Sequence, residues 1–237
     1  QPQAIFVKMH LSFTKSRTIT NLGATITGAN IAINKLRDPD LDIDNTVPHC
    51  SQFNDYCRMY SRYKVYSMTM SCQITATVAD GVDPKANTLY SIAYSLPVND
   101  GTGDPSTDPF TPSTLRQING VLQDKSIRRK FIVPNSIDQR TGIQYHKTGL
   151  WSMRRIQRSP VYDSEDYCGY VTTTGTSHAD PQQRPRVIHR LIREKFVGGE
   201  SAVTVQTRYF LTFNVKWDMR RRDAATVLGE EGPDPDP

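Results

Sequence analysis

The chain has 237 residues, 37% hydrophobic and 22% charged, the balance of a folded globular protein and not of a disordered one. That length suits one large domain, an all-β sandwich included, with a core that needs no disulfides. Lys and Arg number 29 against 24 Asp and Glu, a net charge of +5 that permits a polyanionic partner without requiring one, and no apolar run reaches the ~18 residues of a membrane-spanning helix.

Side chains of a strand alternate between its two faces, so apolar residues at every second position mark a half-buried strand. The first such run is Ile5 to Phe13, where Ile5, Val7, Met9, Leu11 and Phe13 alternate with Lys8, His10 and Ser12, and Phe6 breaks the pattern. Next come Phe53, Tyr56, Tyr60 and Tyr63, spaced three, four and three apart. That spacing predicts a short helix from about Ser51 to Arg62 with four rings on one face. A second long strand follows at Val65 to Val78, with Tyr66, Met68, Met70, Cys72, Ile74, Ala76 and Val78 on one side.

Weaker strand patterns lie at Thr88 to Leu96, Ile127 to Val133 and Leu150 to Ile156. The stretch Arg186 to Val197 fits either a helical face or a strand, and its Val, Ile and Phe content favours the strand. The last long strand is Val203 to Trp217, where every odd position except Thr207 is apolar or aromatic. Strands with one wet face belong to antiparallel sheets. Between them run long polar loops, Val98 to Thr114 and Thr172 to Arg186. Residues 229–237 form an acidic, proline-rich tail that reads as an extended arm. Nothing splits the chain, so the expected architecture is one domain over 1–237, an all-β sandwich of about eight antiparallel strands with long loops and one short helix before the second long strand.

Candidate chemistry is sparse. Cys50, Cys57, Cys72 and Cys168 lack C-x-x-C spacing and read as buried thiols in a reducing compartment. Asp38, Asp40, Asp42 and Asp44 alternate like half a calcium loop. The Gly and Glu such a loop needs are missing, so they read as a solvated acidic loop. The histidines show no metal spacing, and no nucleophile motif or paired carboxylates stand out. The expectation is no metal, no cofactor and no enzyme. Three basic clusters could neutralise phosphates: Arg128, Arg129 and Lys130; Arg154, Arg155 and Arg158; Arg220, Arg221 and Arg222. Trp151 and Trp217 could stack exposed bases beside them. Each cluster reads equally as a solvated face or as an ion-pair site between subunits.

The passage from Phe53 through Tyr56, Tyr60 and Tyr63 to Val65 resembles the single jelly-roll capsid proteins of small circular single-stranded DNA viruses, the circovirus-like group. In that family an aromatic helix leads into a long barrel strand. Lys147 to Ile156 resembles the basic, aromatic strand of their later half, and Tyr209 to Arg221 resembles their final strand. Family members carry an Arg-rich N-terminal arm, whereas the cations near Gln1 are only Lys8, Lys15 and Arg17. The resemblance implies an icosahedral homo-oligomer of about sixty copies (T=1), closed by heterologous contacts, that packages single-stranded DNA. It also implies loops that face a host receptor, residence in the virion, and assembly in the host nucleus or cytoplasm. The coat protein of a small RNA virus, or a non-viral β-sandwich that binds sugar or nucleic acid, would share these features at this resolution.

Overall fold

The computed structural model describes residues 3–20, 25–41, 50–96, 127–136, 142–157, 165–171, 178–193 and 201–220. The loop at 98–114, residues 172–177 of the loop at 172–186, Asp42, Asp44, Arg158, Arg221, Arg222 and the tail 229–237 lie outside the described residues.

The long alternating runs become the backbone of one sheet. Its strands are β1 (Ile5–Ile19), β3 (Tyr60–Val78), β6 (Asn135–Ser136), β7 (Gln144–Ser152), β8 (Cys168–Val171), β9 (His178–Ala179) and β11 (Val203–Arg220). β11 lies between β1 and β3 and pairs antiparallel with both over almost its full length. The other edge of β3 is shared. β8 takes Arg62–Lys64, β7 takes Ser67–Ile74, and the short β6 pairs in parallel with Thr77 and Val78. The second sheet has the order β2-β10-β4-β5, all antiparallel, from β2 (Thr25–Ala32), β4 (Leu89–Leu96), β5 (Arg128–Ile132) and β10 (Arg186–Arg193).

The eight principal strands therefore read β1-β11-β3-β7 in one sheet and β2-β10-β4-β5 in the other. Successive principal strands change sheet at every step except β4 to β5, which is the wiring of a jelly-roll sandwich. The core lies between the sheets, with Met9, Tyr63, Met68, Ile74, Phe213 and Trp217 from the larger sheet against Ala29, Ile31, Leu89, Val187 and Leu191 from the smaller. The smaller sheet is also buried on its other face, where Tyr90, Ile92, Tyr94, Ile188 and Ile192 form a second apolar cluster. Burial on both sides removes the period-two signal from β10 and β4. The stretch that reads as helix or strand is a strand over Arg186–Arg193.

The helix before β3, α1, is shorter than its aromatic spacing predicts and spans Phe53–Met59. Phe53 and Tyr56 lie on it, but Tyr60 and Tyr63 belong to β3. The helix stops because Tyr60, whose N–H still bonds the Tyr56 carbonyl, is itself extended (φ −130°, ψ 149°) and enters the ladder opposite Arg220. Three of the rings nevertheless converge on one partner from β11. Trp217 stacks on Tyr56 at 5.5 Å and meets Phe53 at 5.8 Å and Tyr63 at 5.2 Å. Gly169 on β8 is required here, because a Cβ at that position would stand 2.1 Å from the Tyr63 ring.

One polar chain crosses the core. The Ser91 hydroxyl on β4 lies 2.7 Å from His146 Nδ1 on β7 and 2.7 Å from His189 Nε2 on β10, and His189 Nδ1 lies 2.7 Å from the Tyr209 hydroxyl on β11. Two residues come from each sheet, so the chain pins the sheets in register. Burial, reinforced by Lys130, lowers the His146 pKa to about 4, and burial beside His146 lowers that of His189 to about 3. Both rings are neutral at physiological pH. Every hydrogen-bonding atom of the two rings then has a partner except His146 Nε2. The four cysteines are free and buried, and burial raises the thiols of Cys50 and Cys72 to about 12.

Candidate nucleic-acid interface

The outer face of the larger sheet collects residues that are far apart in sequence. Register alone places them. Phe6 stands opposite Lys216, Lys8 opposite Asn214, Thr14 opposite Arg208, Lys216 opposite Lys64, and Ser71 opposite Lys147. The same face also carries Ser12, Ser16, Thr69, Gln73, Thr75, Gln206 and Thr212, polar side chains without charge, together with His10, Phe210 and the exposed Leu150. Across β1, β11, β3 and β7 the face is roughly 15 Å wide, and from Arg208 to Lys216 it is roughly 27 Å long.

Charge on this face has one sign. Strands β1, β3, β7 and β11 carry Lys8, Lys15, Arg17, Arg62, Lys64, Lys147, Arg208, Lys216 and Arg220, and their single carboxylate is Asp218. Lys15 points inward and is neutralised by Asp40. Asp218 sits at one end of the face, where Arg62 Nε donates to Oδ1 at 2.7 Å and Nη2 to Oδ2 at 3.0 Å. Lys216 also lies 3.5 Å from Asp218. Burial acts to raise the Asp218 carboxyl, but the Arg62 and Lys216 cations outweigh it and hold the pKa below its ordinary value. The one carboxylate of these strands is thus already answered, and the exposed Glu165 at the same end lies 3.5 Å from Arg62.

Aromatic rings are interleaved with these cations. Phe6 is 73% exposed and its ring centroid lies 6.1 Å from that of Tyr66. The Lys64 ammonium lies 5.9 Å from the Tyr66 ring, and the Arg208 guanidinium 5.1 Å from the Phe210 ring. Tyr145 on β7 is 53% exposed. Two shallow depressions mark the β1–β11 seam: one of about 260 Å³ lined by Phe6, Lys8, Tyr66 and Asn214, and one of about 380 Å³ lined by His10, Ser12, Phe210 and Thr212. A flat, positively charged surface with exposed rings is the chemistry of a single-strand binding platform, where cations meet phosphates and rings stack on bases.

Among the described residues, most of those singled out from sequence fall elsewhere. Arg128, Arg129 and Lys130 are exposed on β5, at the end of the smaller sheet's strand order. Arg154 and Arg155 are exposed on a five-residue helix, α2 (Met153–Gln157), which replaces the second half of the strand expected at Leu150 to Ile156. Arg220 ends β11. The structure does not bring these clusters together on one strand face. Trp151 is only 6% exposed and donates its Nε1–H to Thr148 Oγ1 at 3.0 Å, and Trp217 is fully buried. Neither indole is open to a base. The signal for Phe6 and Phe210 lies in the even positions of the first and last long strands, read across the ladder, whereas Tyr66 reads from sequence as a neighbour of Met68 and is turned outward only by the bulge in β3.

No family model matches the chain, and no curated protein is found similar to it. Among solved structures, the chain is similar to the Macrobrachium rosenbergii nodavirus at 12% identity and a TM-score of 0.46, covering 92% of this chain and 57% of that one. It is similar to the decameric BFDV capsid protein at 12% identity and a TM-score of 0.40, covering 90% and 99% of the two chains. A third similar structure is the Triatoma virus empty capsid, at 11% identity and a TM-score of 0.37, covering 92% of each chain. The chain thus spans little more than half the length of the nodavirus chain. At these identities and TM-scores, the functional conclusion rests on the strand order and surface chemistry of this chain.

Proposed function

We propose that the chain is the coat protein of a small virus, that it self-assembles into an icosahedral shell, and that the outer face of its larger sheet lies against a packaged single-stranded genome. The observation that carries this reading is the charge of that face: Lys8, Lys64, Lys147, Arg208 and Lys216 with Asp218 as the only carboxylate of strands β1, β3, β7 and β11. A surface held positive in this way stores phosphate-binding free energy that does not depend on base sequence, which is what a packaging surface needs. The aromatic helix leading into β3 and the jelly-roll strand order support the assembly half, as the resemblance to circovirus-like capsids implies. That resemblance also favours DNA over RNA and the virion as the place of residence. The reading assigns the chain no catalytic step.

Purified protein should form hollow spherical particles many times the size of one subunit, visible by negative-stain microscopy. Nucleic acid extracted from them should be sensitive to deoxyribonuclease, and ribonuclease sensitivity would transfer the reading to an RNA genome. Binding of a single-stranded oligonucleotide should weaken steeply with salt, with a log–log slope of about −3 to −4 for five contacting cations. A small oligomer that persists at every salt concentration and pH, or binding that ignores salt, would contradict the proposal.

A further inference from the structure

We infer that Phe6 and Tyr66 form a base-stacking subsite on the packaging face, so that the shell protein holds its nucleic acid by bases as well as by phosphates. This inference rests on the nucleic-acid reading of that face and adds a specific site to it. Two features set the pair apart from ordinary surface residues. Phe6 breaks the alternation of β1, a phenylalanine 73% exposed where every other outward residue down to Thr18 is polar. Tyr66 reaches the same surface because of a bulge. β11 pairs Asn214 with Ser67 and Val215 with Val65, so Tyr66 has no ladder partner and turns outward beside Phe6.

The two rings meet at 6.1 Å and 35°, an open corner and not a closed stack, which leaves ring surface for a third π-system. Cations flank the corner. Lys64 lies against the Tyr66 ring, and Lys8 is the next outward residue after Phe6, roughly 7 Å along the strand. Asn214 lines the same depression and brings a side-chain amide. An apolar partner surface would be served by the rings, but the lysines on both sides would then be desolvated without compensation. A nucleotide uses both parts, its base over the rings and its phosphates at the lysines.

The test compares two single-stranded probes of about ten nucleotides, one carrying thymine bases and one an abasic backbone of the same length and charge. Wild-type protein should prefer the base-bearing probe by roughly 5- to 150-fold, the effect of one well-stacked base. Phe6→Leu, and Phe6→Leu with Tyr66→Leu, should reduce that ratio toward one, while the affinity for the abasic probe and its salt slope stay unchanged. Phe6→Leu changes an exposed residue, so circular dichroism should show the wild-type fold. Equal wild-type affinity for both probes, or a preference that survives the double substitution, would overturn the subsite while leaving the phosphate-binding face intact. A double variant that changes particle assembly but not the probe ratio would also overturn it, marking the corner as a contact between subunits. Failure of wild-type protein to bind either probe would remove the packaging face as well.

Discussion

Replacing His146 with asparagine should make the fold less sensitive to acid. His146 and His189 are buried in the core, 3% and 0% exposed, and bonded through Ser91. Among the described residues, Cys72 pairs with His146, Lys130 acts on it electrostatically and Gly28 lies against the His189–Tyr209 bond, and no carboxylate acts on either imidazole. The folded pKa values, about 4 and about 3, lie below the ordinary 6.5. Above pH 6.5 both rings are neutral in the folded and unfolded chain, and this pair contributes little pH dependence. Below it the unfolded chain binds protons that the folded chain excludes, so stability falls as pH falls, by about 1.4 kcal/mol per unit for each ring. Over the window down to pH 4 the pair removes roughly 7 kcal/mol, comparable with the ~5–15 kcal/mol stability of a whole domain. Asparagine keeps an acceptor or donor where Nδ1 stood and deletes Nε2, the atom without a partner. The variant should lose about 1–2 kcal/mol at neutral pH from lost packing, and its slope below pH 6.5 should fall short of the wild-type slope by about one excluded proton. Urea unfolding followed by emission of the buried Trp151 and Trp217, repeated from about pH 7.5 to about 4.5, measures that slope. Identical slopes for the two proteins, or wild-type stability that is flat across the window, would refute the reasoning.

Gly169→Ala should lower stability by about 1–3 kcal/mol or more, because its Cβ would overlap the buried Tyr63 ring; a drop of several degrees in thermal midpoint checks this, and an unchanged midpoint would show that the ring can move. Asp218→Asn removes the carboxylate held by Arg62 and Lys216 and should cost about 1–3 kcal/mol at pH 7. Since the folded pKa of Asp218 lies below its ordinary 3.8, its contribution is present above that pH and lost below it, so the difference between the two proteins in urea unfolding should shrink only as the solution is acidified past that point. Trp151→Phe should leave oligonucleotide affinity unchanged while lowering stability, because the indole is buried on Thr148; a selective loss of affinity would mean the ring is reached by nucleic acid after all.

The three long strands are legible in the sequence because each keeps one face wet, so alternation survives from Ile5, Met68 and Val203 onward; before Met68 a bulge breaks it and turns outward the Tyr66 ring that the pattern places beside Met68. β10 is not legible in the same way, since Ile188 and Ile192 pack on one side and Val187 and Leu191 on the other. β2 leaves little trace because it is short and carries Gly28, which must lack a Cβ to admit the His189–Tyr209 hydrogen bond. The aromatic spacing at Phe53 to Tyr63 continues through the end of α1, because a twisted strand can return a ring to the same cluster as a helical turn does. The interface is the least legible part. Arg128 to Lys130 attracts attention as a run, whereas Lys8, Lys64, Lys147 and Arg208 become neighbours only through a ladder whose register no local pattern reveals. Trp151 looks like a stacking platform beside basic residues. The bulge at Thr148 and Gly149, with Gly149 at φ 79°, instead brings its indole onto the Thr148 hydroxyl.

Ultraviolet cross-linking of nucleic acid to protein in purified particles, with the linked peptides mapped by mass spectrometry, tests the packaging face most directly. Cross-links should fall on the outward residues of β1, β3 and β11, with Phe6, Tyr66 and Phe210 foremost. Cross-links confined to Arg128–Lys130 or to Arg154 and Arg155, with the outer face of the larger sheet unlabelled, would contradict the account.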